Sequence, residues 1–265
     1  MFEEAGMSPR LHQLSSDELL SVERAFAVLP RLHQKVLKEH LRSISFLDHM
    51  PNTALTSIVN TDDRFPLYDI TFRAEILNQN VSEWLTEKER TCFDPKGSSL
   101  NVSIAAGTLD AIVYVLMHEA THIVDGSLGI TPVRTARSTV DTVKSTFTSG
   151  VWTDRTVFAP QFRNTLLDSS HFRRGGKILP INTAKFVYQA LRRTPFVSLY
   201  STSSQHEDLA EYLTVYDFTQ KLKQPFQIII RDKGKKVFVS EPMKSKLVKG
   251  RMRYMKVFYA NSNPT

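Results

Sequence analysis

Residues 109–124 form a strongly apolar stretch, LDAIVYVLMHEATHIV, that nevertheless contains two histidines and a glutamate: His118, Glu119 and His122. Apolar residues fall on most sides of a helix drawn through this stretch, so the pattern predicts a helix buried over much of its circumference. A polar group in such a helix costs free energy unless a partner satisfies it. We therefore expect His118, Glu119 and His122 to have a specific partner.

The three polar residues have the spacing H-E-x-x-H. Residues four apart lie on one helix face about a turn apart, so the rings of His118 and His122 can converge on one ion. Glu119 lies at the edge of that face, where its carboxylate can reach a water molecule on the ion without displacing it. The pattern predicts a site for one zinc ion. Satisfied core histidines, or a site that has lost its metal, are the alternatives.

A catalytic zinc site needs a third protein ligand and an open position for water. The metzincin continuation would need a glycine at 125 and a histidine at 128, where this chain has Asp125 and Leu128. Asp125 shares the face of the histidines, but the helical rise places it about 10 Å from His118, too far to bind the same ion. We expect Asp125 to act outside the metal ligands by orienting a histidine ring.

The strongest candidates for the third ligand are Glu207 and Glu211, four apart in the predicted helix QHEDLAEYL. One carboxylate can bind the metal while the other holds a ligand histidine through its second ring nitrogen. We predict that Glu207 is the ligand and that Glu211 supports the site, with the reverse assignment as an alternative. Ser204, three residues earlier, offers another explanation of Glu207, because the two would form a capping box.

The motif His118-Glu119-x-x-His122 followed by a helical glutamate pair resembles the gluzincins, metallopeptidases typified by thermolysin. The stretch YSTSSQHEDLAEY looks like the pattern in lethal factor-like catalytic domains, with Tyr200, Glu207 and Glu211 at the matching positions, and HIVD, which contains Asp125, resembles the continuation after their second histidine. The resemblance covers 100–126 and 200–218. It implies a zincin-like fold with an active-site helix and a mainly helical C-terminal part.

The resemblance also implies a zinc-dependent endopeptidase that acts on a protein or peptide substrate. In that chemistry Glu119 is the general base, and Tyr200 donates a hydrogen bond to the negative charge that develops on the substrate. His206 and His171 are alternative donors. The rival hypotheses are a catalytically silent zincin domain that serves as a binding or structural module, a nucleic-acid or anionic-surface binder that uses the C-terminal basic residues, and a hydrolase of non-peptide amides.

Composition limits the other partners. The net charge of +7 is spread along the chain, and the basic segment 244–256 has apolar residues at rough helical spacing. This predicts an amphipathic terminal helix with a solvated basic face, so we expect no nucleic-acid binding. No apolar run approaches the roughly 18 residues of a membrane span, and the first residues lack the features of a signal peptide. We expect a soluble protein whose compartment, including secretion after loss of a leader, and oligomeric state stay open.

The order of predicted elements indicates an α+β fold with a small mixed sheet. We predict one catalytic domain over 1–265, with the sheet and motif helix in 1–126 and the third ligand in 127–265. Thr108 is the expected cap of the motif helix. The strand predicted at 101–105 either offers an exposed edge to which an extended peptide adds, or is merely paired inside the sheet. The other predicted elements are helices beginning at Ser15, Arg31, Thr183 and Ser204, strands at 44–48 and 69–76, and a hairpin of FQIII with VFVS.

Overall fold

The structure, a computed structural model, describes residues 8–59, 65–132 and 147–260. The α-helices of these residues are α1 (Ser16–Ala27), α2 (Arg31–His40), α3 (Val81–Arg90), α4 (Ala111–Leu128), α5 (Thr165–Asp168), α6 (Ala184–Leu191), α7 (Gln205–Tyr216) and α8 (Lys246–Lys249). The strands are β1 (Arg10–Leu11), β2 (Leu41–Asp48), β3 (Ala54–Ile58), β4 (Tyr68–Arg73), β5 (Phe93–Asp94), β6 (Leu100–Ala105), β7 (Trp152–Asp154), β8 (Val157–Phe158), β9 (Leu179–Pro180), β10 (Gln227–Asp232) and β11 (Lys235–Ser240). The fold class is α+β.

The described residues belong to two compact units, each built from more than one stretch of chain. Unit 1 takes its residues from Met1–Val81, Thr108–Leu128 and Val257–Thr265. Unit 2 takes its residues from Ser82–Gly107 and Gly129–Lys256. The single catalytic domain stays a prediction. Among the described helices, none combines the length and the apolar character that crossing a membrane requires.

Unit 1 contains a small mixed sheet with the strand order β1-β2-β4-β3. The β2–β4 pair is parallel, and the other two pairs are antiparallel. The alternating pattern predicted a strand over 69–76, but β4 ends at Arg73 and a 3-10 turn, Ala74–Asn78, follows. Ile70, Phe72 and Ile76 are all buried. The apolar positions were therefore predicted correctly, although the backbone changes from strand to turn between them.

Three helices of unit 1 pack together, with α1 and α2 both in contact with α4. The capping box predicted at the start of α1 is present, because Ser15 Oγ accepts a hydrogen bond from Glu18 N and the Glu18 carboxylate accepts one from Ser15 N. The predicted cap of α4 is wrong. This helix begins at Ala111, so Asp110 rather than Thr108 precedes it, and the Asp110 carboxylate accepts a hydrogen bond from Ser21 Oγ of α1.

Unit 2 contains an antiparallel sheet with the order β11-β10-β6. The predicted hairpin of FQIII with VFVS is confirmed as β10 and β11. The strand predicted at 101–105 is confirmed as part of β6. The helix expected from Ser204 is confirmed as α7, which continues as a π-helical turn, Asp217–Lys221.

The basic segment 244–256 differs from the prediction of one amphipathic helix. It consists of the four-residue helix α8 and a 3-10 stretch, Met252–Tyr259. Arg251, which would belong to the solvated basic face, is only 4% exposed and forms two hydrogen bonds with the buried carboxylate of Asp208 on α7. The predicted helix is interrupted at this point, because a buried ion pair fixes Arg251 on the interior side.

Candidate metal centre

Helix α4 holds the two motif histidines with their Nε2 atoms facing each other. The Nε2 atoms of His118 and His122 are 3.2 Å apart, and the two rings are nearly perpendicular, at 79°. Two nitrogens that bind one zinc ion at about 2.0–2.1 Å in a tetrahedral site are separated by about 3.3 Å. The spacing of the two rings therefore fits a shared ion.

The carboxylate of Glu119 is fixed from the neighbouring edge strand. Glu119 is 9% exposed, and its Oε2 accepts a hydrogen bond of 2.6 Å from Thr56 Oγ1 of β3. This contact ties down one carboxylate oxygen and leaves the other as an acceptor. The sequence analysis missed Thr56, because it lies 63 residues before Glu119 and no local pattern marks it.

Asp125 is buried near the C-terminal end of α4. Burial of Tyr68 and the negative charge of Asp125 both raise the pKa of Tyr68, and burial is the larger cause. A Cβ atom at Gly126 would clash with the Tyr68 hydroxyl, so a larger residue there would require the Tyr68 side chain to shift. The predicted role of Asp125, orienting a histidine ring, stays a prediction.

The two candidate glutamates of α7 have different surroundings. Glu207 is partly exposed. Its backbone N–H donates to Ser204 Oγ, so Ser204 caps α7, but this bond uses the backbone of residue 207 and does not account for a glutamate there. Glu211 is 1% exposed; its Oε2 accepts a hydrogen bond of 2.6 Å from Ser198 Oγ, and its Oε1 lies 3.6 Å from Lys88 Nζ. Glu211 is thus bonded within the interior, whereas Glu207 remains accessible.

One group of ligand atoms in the described part of the chain has the composition of a metal site. It consists of a ring nitrogen of His118, a ring nitrogen of His122 and a carboxylate oxygen of Glu207, all within 4.8 Å of one another. These are the three residues that the sequence predicted as ligands. Cys92, the single cysteine of the chain, is buried, and burial raises the pKa of its thiol far above the ordinary range.

The candidate hydrogen-bond donors occupy three kinds of environment. Tyr200 is partly exposed, and Lys88 Nζ lies 3.6 Å from its ring centroid. His206 Nδ1 lies 2.6 Å from Thr131 Oγ1, so this histidine has a hydrogen-bond partner. His171 is exposed and packs against Phe172. The assignment of Tyr200 as the donor stays a prediction.

The edge of β6 that does not pair with β10 is occupied by α3. Three side chains at successive four-residue steps of α3 bond to its backbone: Ser82 Oγ accepts from Ala106 N, Thr86 Oγ1 accepts from Ile104 N, and Arg90 Nε donates to Val102 O. An extended peptide cannot pair with this edge while α3 is in place. Strand β6 therefore matches neither possibility in full, because it lies at the end of its sheet rather than inside it and α3 covers its outer edge.

Comparisons with models of known protein families, with curated proteins and with solved structures each found no match. The gluzincin resemblance therefore stays a prediction from the motif residues. The donor set could hold a metal ion. Two imidazoles and one carboxylate are ligands suited to zinc, whereas magnesium and calcium prefer sets made of oxygen ligands alone.

Proposed function

We propose that this protein is a zinc-dependent endopeptidase of the gluzincin class with a zincin-like fold. One observation carries the proposal: His118, His122 and Glu207 offer three ligand atoms within 4.8 Å of one another, directly beside the carboxylate of Glu119 in sequence. Within the described residues this group has three ligand atoms. A three-ligand set keeps one position open, whereas a structural zinc site closes all four with protein ligands. The open position and the adjacent carboxylate together favour hydrolysis over a purely structural role.

The residues of the chain divide the chemistry between them. Zinc, when bound, makes a water molecule acidic enough to lose a proton near neutral pH and polarises a carbonyl group. Glu119 accepts that proton as the water oxygen bonds to the carbonyl carbon, and it passes the proton to the leaving amine as the C–N bond breaks. Because Thr56 Oγ1 donates to Glu119 Oε2, the proton goes to Oε1. The Tyr200 hydroxyl donates a hydrogen bond to the carbonyl oxygen as negative charge develops on that oxygen.

The substrate in this proposal is an extended peptide that pairs with β3. This strand is the last in the order β1-β2-β4-β3, so one side has no strand partner in the described part of the chain. Thr53 O and Val59 N bond to neighbours on the β4 side, and the alternation of an antiparallel ladder then turns the backbone groups of Ala54, Thr56 and Ile58 outward. A peptide bonded to Thr56 passes next to the carboxylate that this residue holds.

The test is cleavage of a peptide library by the zinc-loaded protein, with and without a chelator. We expect cleavage by the wild type, its loss on chelation and its return when zinc is added. Glu119→Gln should retain zinc and fold but lose cleavage by at least about 100-fold, because the amide cannot accept the proton. Glu23→Gln, a change at an exposed position of α1, is the matched control.

Two outcomes contradict this proposal. Equal cleavage by Glu119→Gln and the wild type refutes the role of Glu119. A wild-type protein that binds zinc but cleaves no member of the library is instead the silent zincin module considered from the sequence.

A further inference from the structure

The side chain of Lys88 on α3 lies inside a cluster of aromatic rings beside a buried carboxylate. Its Nζ is 3.6 Å from the ring centroid of Tyr200, 5.2 Å from that of Trp84 and 6.0 Å from that of Phe172. The same atom lies 3.6 Å from Glu211 Oε1. We call these five residues the Lys88 cluster.

The backbone that carries Tyr200 is fixed to the same cluster. Ser198 Oγ donates to Glu211 Oε2 and accepts a hydrogen bond of 3.0 Å from Ser201 N. Ser201 Oγ in turn donates to Ser198 O and accepts from Ser198 N. The turn at 198–201 is therefore bonded to Glu211 Oε2. The ring of Tyr200, which belongs to this turn, contacts Lys88 Nζ, and the same nitrogen pairs with Glu211 Oε1.

The contact between Lys88 and Tyr200 restrains the direction of the ring. A cation is attracted to the centre of an aromatic face, and this attraction weakens when the ring tilts away. The ammonium group is itself held in place, because its side chain is only 19% exposed and a carboxylate lies beside it. A fixed cation on one face therefore limits the directions in which the Tyr200 hydroxyl can point.

We propose that Lys88 is a positioning residue that holds the Tyr200 ring in the orientation needed for its hydroxyl to reach the reacting carbonyl group. This proposal rests on the function proposed above, in which Tyr200 is the donor. Lys88 itself touches neither substrate nor metal in this scheme. A purely structural role, in which Lys88 only neutralises buried Glu211, makes different predictions for catalysis.

The kinetic test uses the zinc-loaded enzyme and a double-mutant cycle. Loss of a positioned donor costs about 100- to 1,000-fold in kcat, so we expect a loss of that size for Tyr200→Phe. Lys88→Met should lower kcat by about 10- to 100-fold with little change in KM, because a misplaced group weakens the transition state more than substrate binding. Adding Lys88→Met to Tyr200→Phe should cause no further loss. Multiplying losses would overturn the proposal.

Lys88→Arg keeps a cation on the ring face and should recover part of the lost kcat. If Lys88→Met does not fold, Lys88→Gln removes the cation from the ring face and keeps a hydrogen-bond donor beside the buried Glu211 carboxylate. The same loss of kcat is then expected. Lys96→Met, at an exposed lysine of the same unit, is the control.

A second readout needs neither zinc nor activity. In metal-free protein labelled with 3-fluorotyrosine, the ¹⁹F resonance that disappears in Tyr200→Phe belongs to Tyr200. We expect Lys88→Met to shift and broaden this resonance. In Lys96→Met the resonance should stay unchanged. An unchanged Tyr200 resonance in Lys88→Met overturns the proposal. If the wild type cleaves no peptide, the proposed function fails, and the ¹⁹F result alone decides whether Lys88 orders Tyr200.

Discussion

At the scale of single residues, the contact between Thr56 and Glu119 joins β3 to the motif helix α4. Thr56 Oγ1 donates to Glu119 Oε2 at 2.6 Å, although the two residues are 63 positions apart in the chain. Pairing of β3 with β4 fixes the position of Thr56. The hydroxyl therefore holds one oxygen of the carboxylate that we propose as the proton acceptor.

The Thr56 contact leads to a prediction for catalysis. Thr56→Val removes the hydroxyl that holds Glu119 Oε2 and keeps the shape of the side chain. A hydrogen bond to a charged group contributes about 1.5–3 kcal/mol, so we expect kcat to fall by at least about 10-fold while zinc binding is unchanged. Ser57→Ala, at the next, exposed position, should behave like the wild type. Wild-type kcat in Thr56→Val would show that the contact has no catalytic role.

His33 gives a prediction for stability against pH. It is fully buried on α2, where its Nε2 lies 3.0 Å from Thr121 Oγ1, and burial lowers its pKa from 6.5 to about 3. The unfolded chain therefore binds a proton at higher pH than the folded protein does. The stability from neutral His33 is fully present above pH 6.5 and is lost as the pH falls from 6.5 toward 3, at up to about 1.4 kcal/mol per pH unit.

Urea unfolding at pH 7, 6, 5 and 4 measures this contribution. We expect His33→Gln to be less stable than the wild type at pH 7 but to lose less stability between pH 6.5 and 4. His49→Asn, at a histidine whose side chain is 76% exposed, should keep the wild-type slope. Parallel curves for His33→Gln and the wild type would contradict the assigned pKa.

At the scale of elements, α7 is held by a buried ion pair. Asp208 accepts hydrogen bonds from Arg251 and from Trp152 Nε1, and the Arg251 guanidinium stacks over Phe147 at 3.8 Å. Asp208 is adjacent to Glu207 in the chain, so this anchor also fixes the helix turn that carries the candidate ligand. The cap and the apolar pattern predicted α7 correctly. The same reasoning placed Arg251 on a solvated face, because basic residues are usually exposed.

Removing one partner of this pair should destabilise the protein strongly. Arg251→Met leaves the Asp208 carboxylate buried without its cation, which typically costs about 3–5 kcal/mol in the free energy of unfolding. Asp208→Asn combined with Arg251→Met should recover part of that loss, because no unpaired charge remains. Arg253→Met, at an exposed neighbour, is the control. A loss below about 1 kcal/mol in Arg251→Met, measured by urea unfolding, would mean that the pair does not anchor α7.

The edge strand β3 allows a test with altered substrates. A peptide paired with β3 directs every second backbone N–H toward the strand. Methylating these nitrogens one at a time in a cleaved peptide should therefore raise KM at alternate positions and have little effect at the positions between them. Peptides methylated next to the scissile bond are excluded from the comparison. A uniform response along the peptide would rule out pairing with β3.

At the scale of the whole molecule, the sequence predicted the helices and strands themselves better than it predicted which of them pack against one another. The α+β class, the mixed sheet, β6, α7 and the final hairpin all followed from periodicity, caps and turn residues. The sequence did not predict which sheet edge lacks a partner in the described part of the chain. Helix α3 covers the edge of β6 through Ser82, Thr86 and Arg90, whereas β3 is the last strand of its sheet. Strand order and helix packing depend on long-range contacts, and these differ between folds that share the same local patterns.

The central claim is that His118, His122 and Glu207 bind one zinc ion. Metal-free wild type, Glu207→Gln and Glu211→Gln can be titrated with zinc against a competing chelator. We expect one zinc per chain in the wild type. Affinity should fall by more than about 100-fold in Glu207→Gln, beyond the 10- to 100-fold loss typical of residues outside the ligand set, and by less than that in Glu211→Gln. Wild-type zinc affinity in Glu207→Gln would contradict the account.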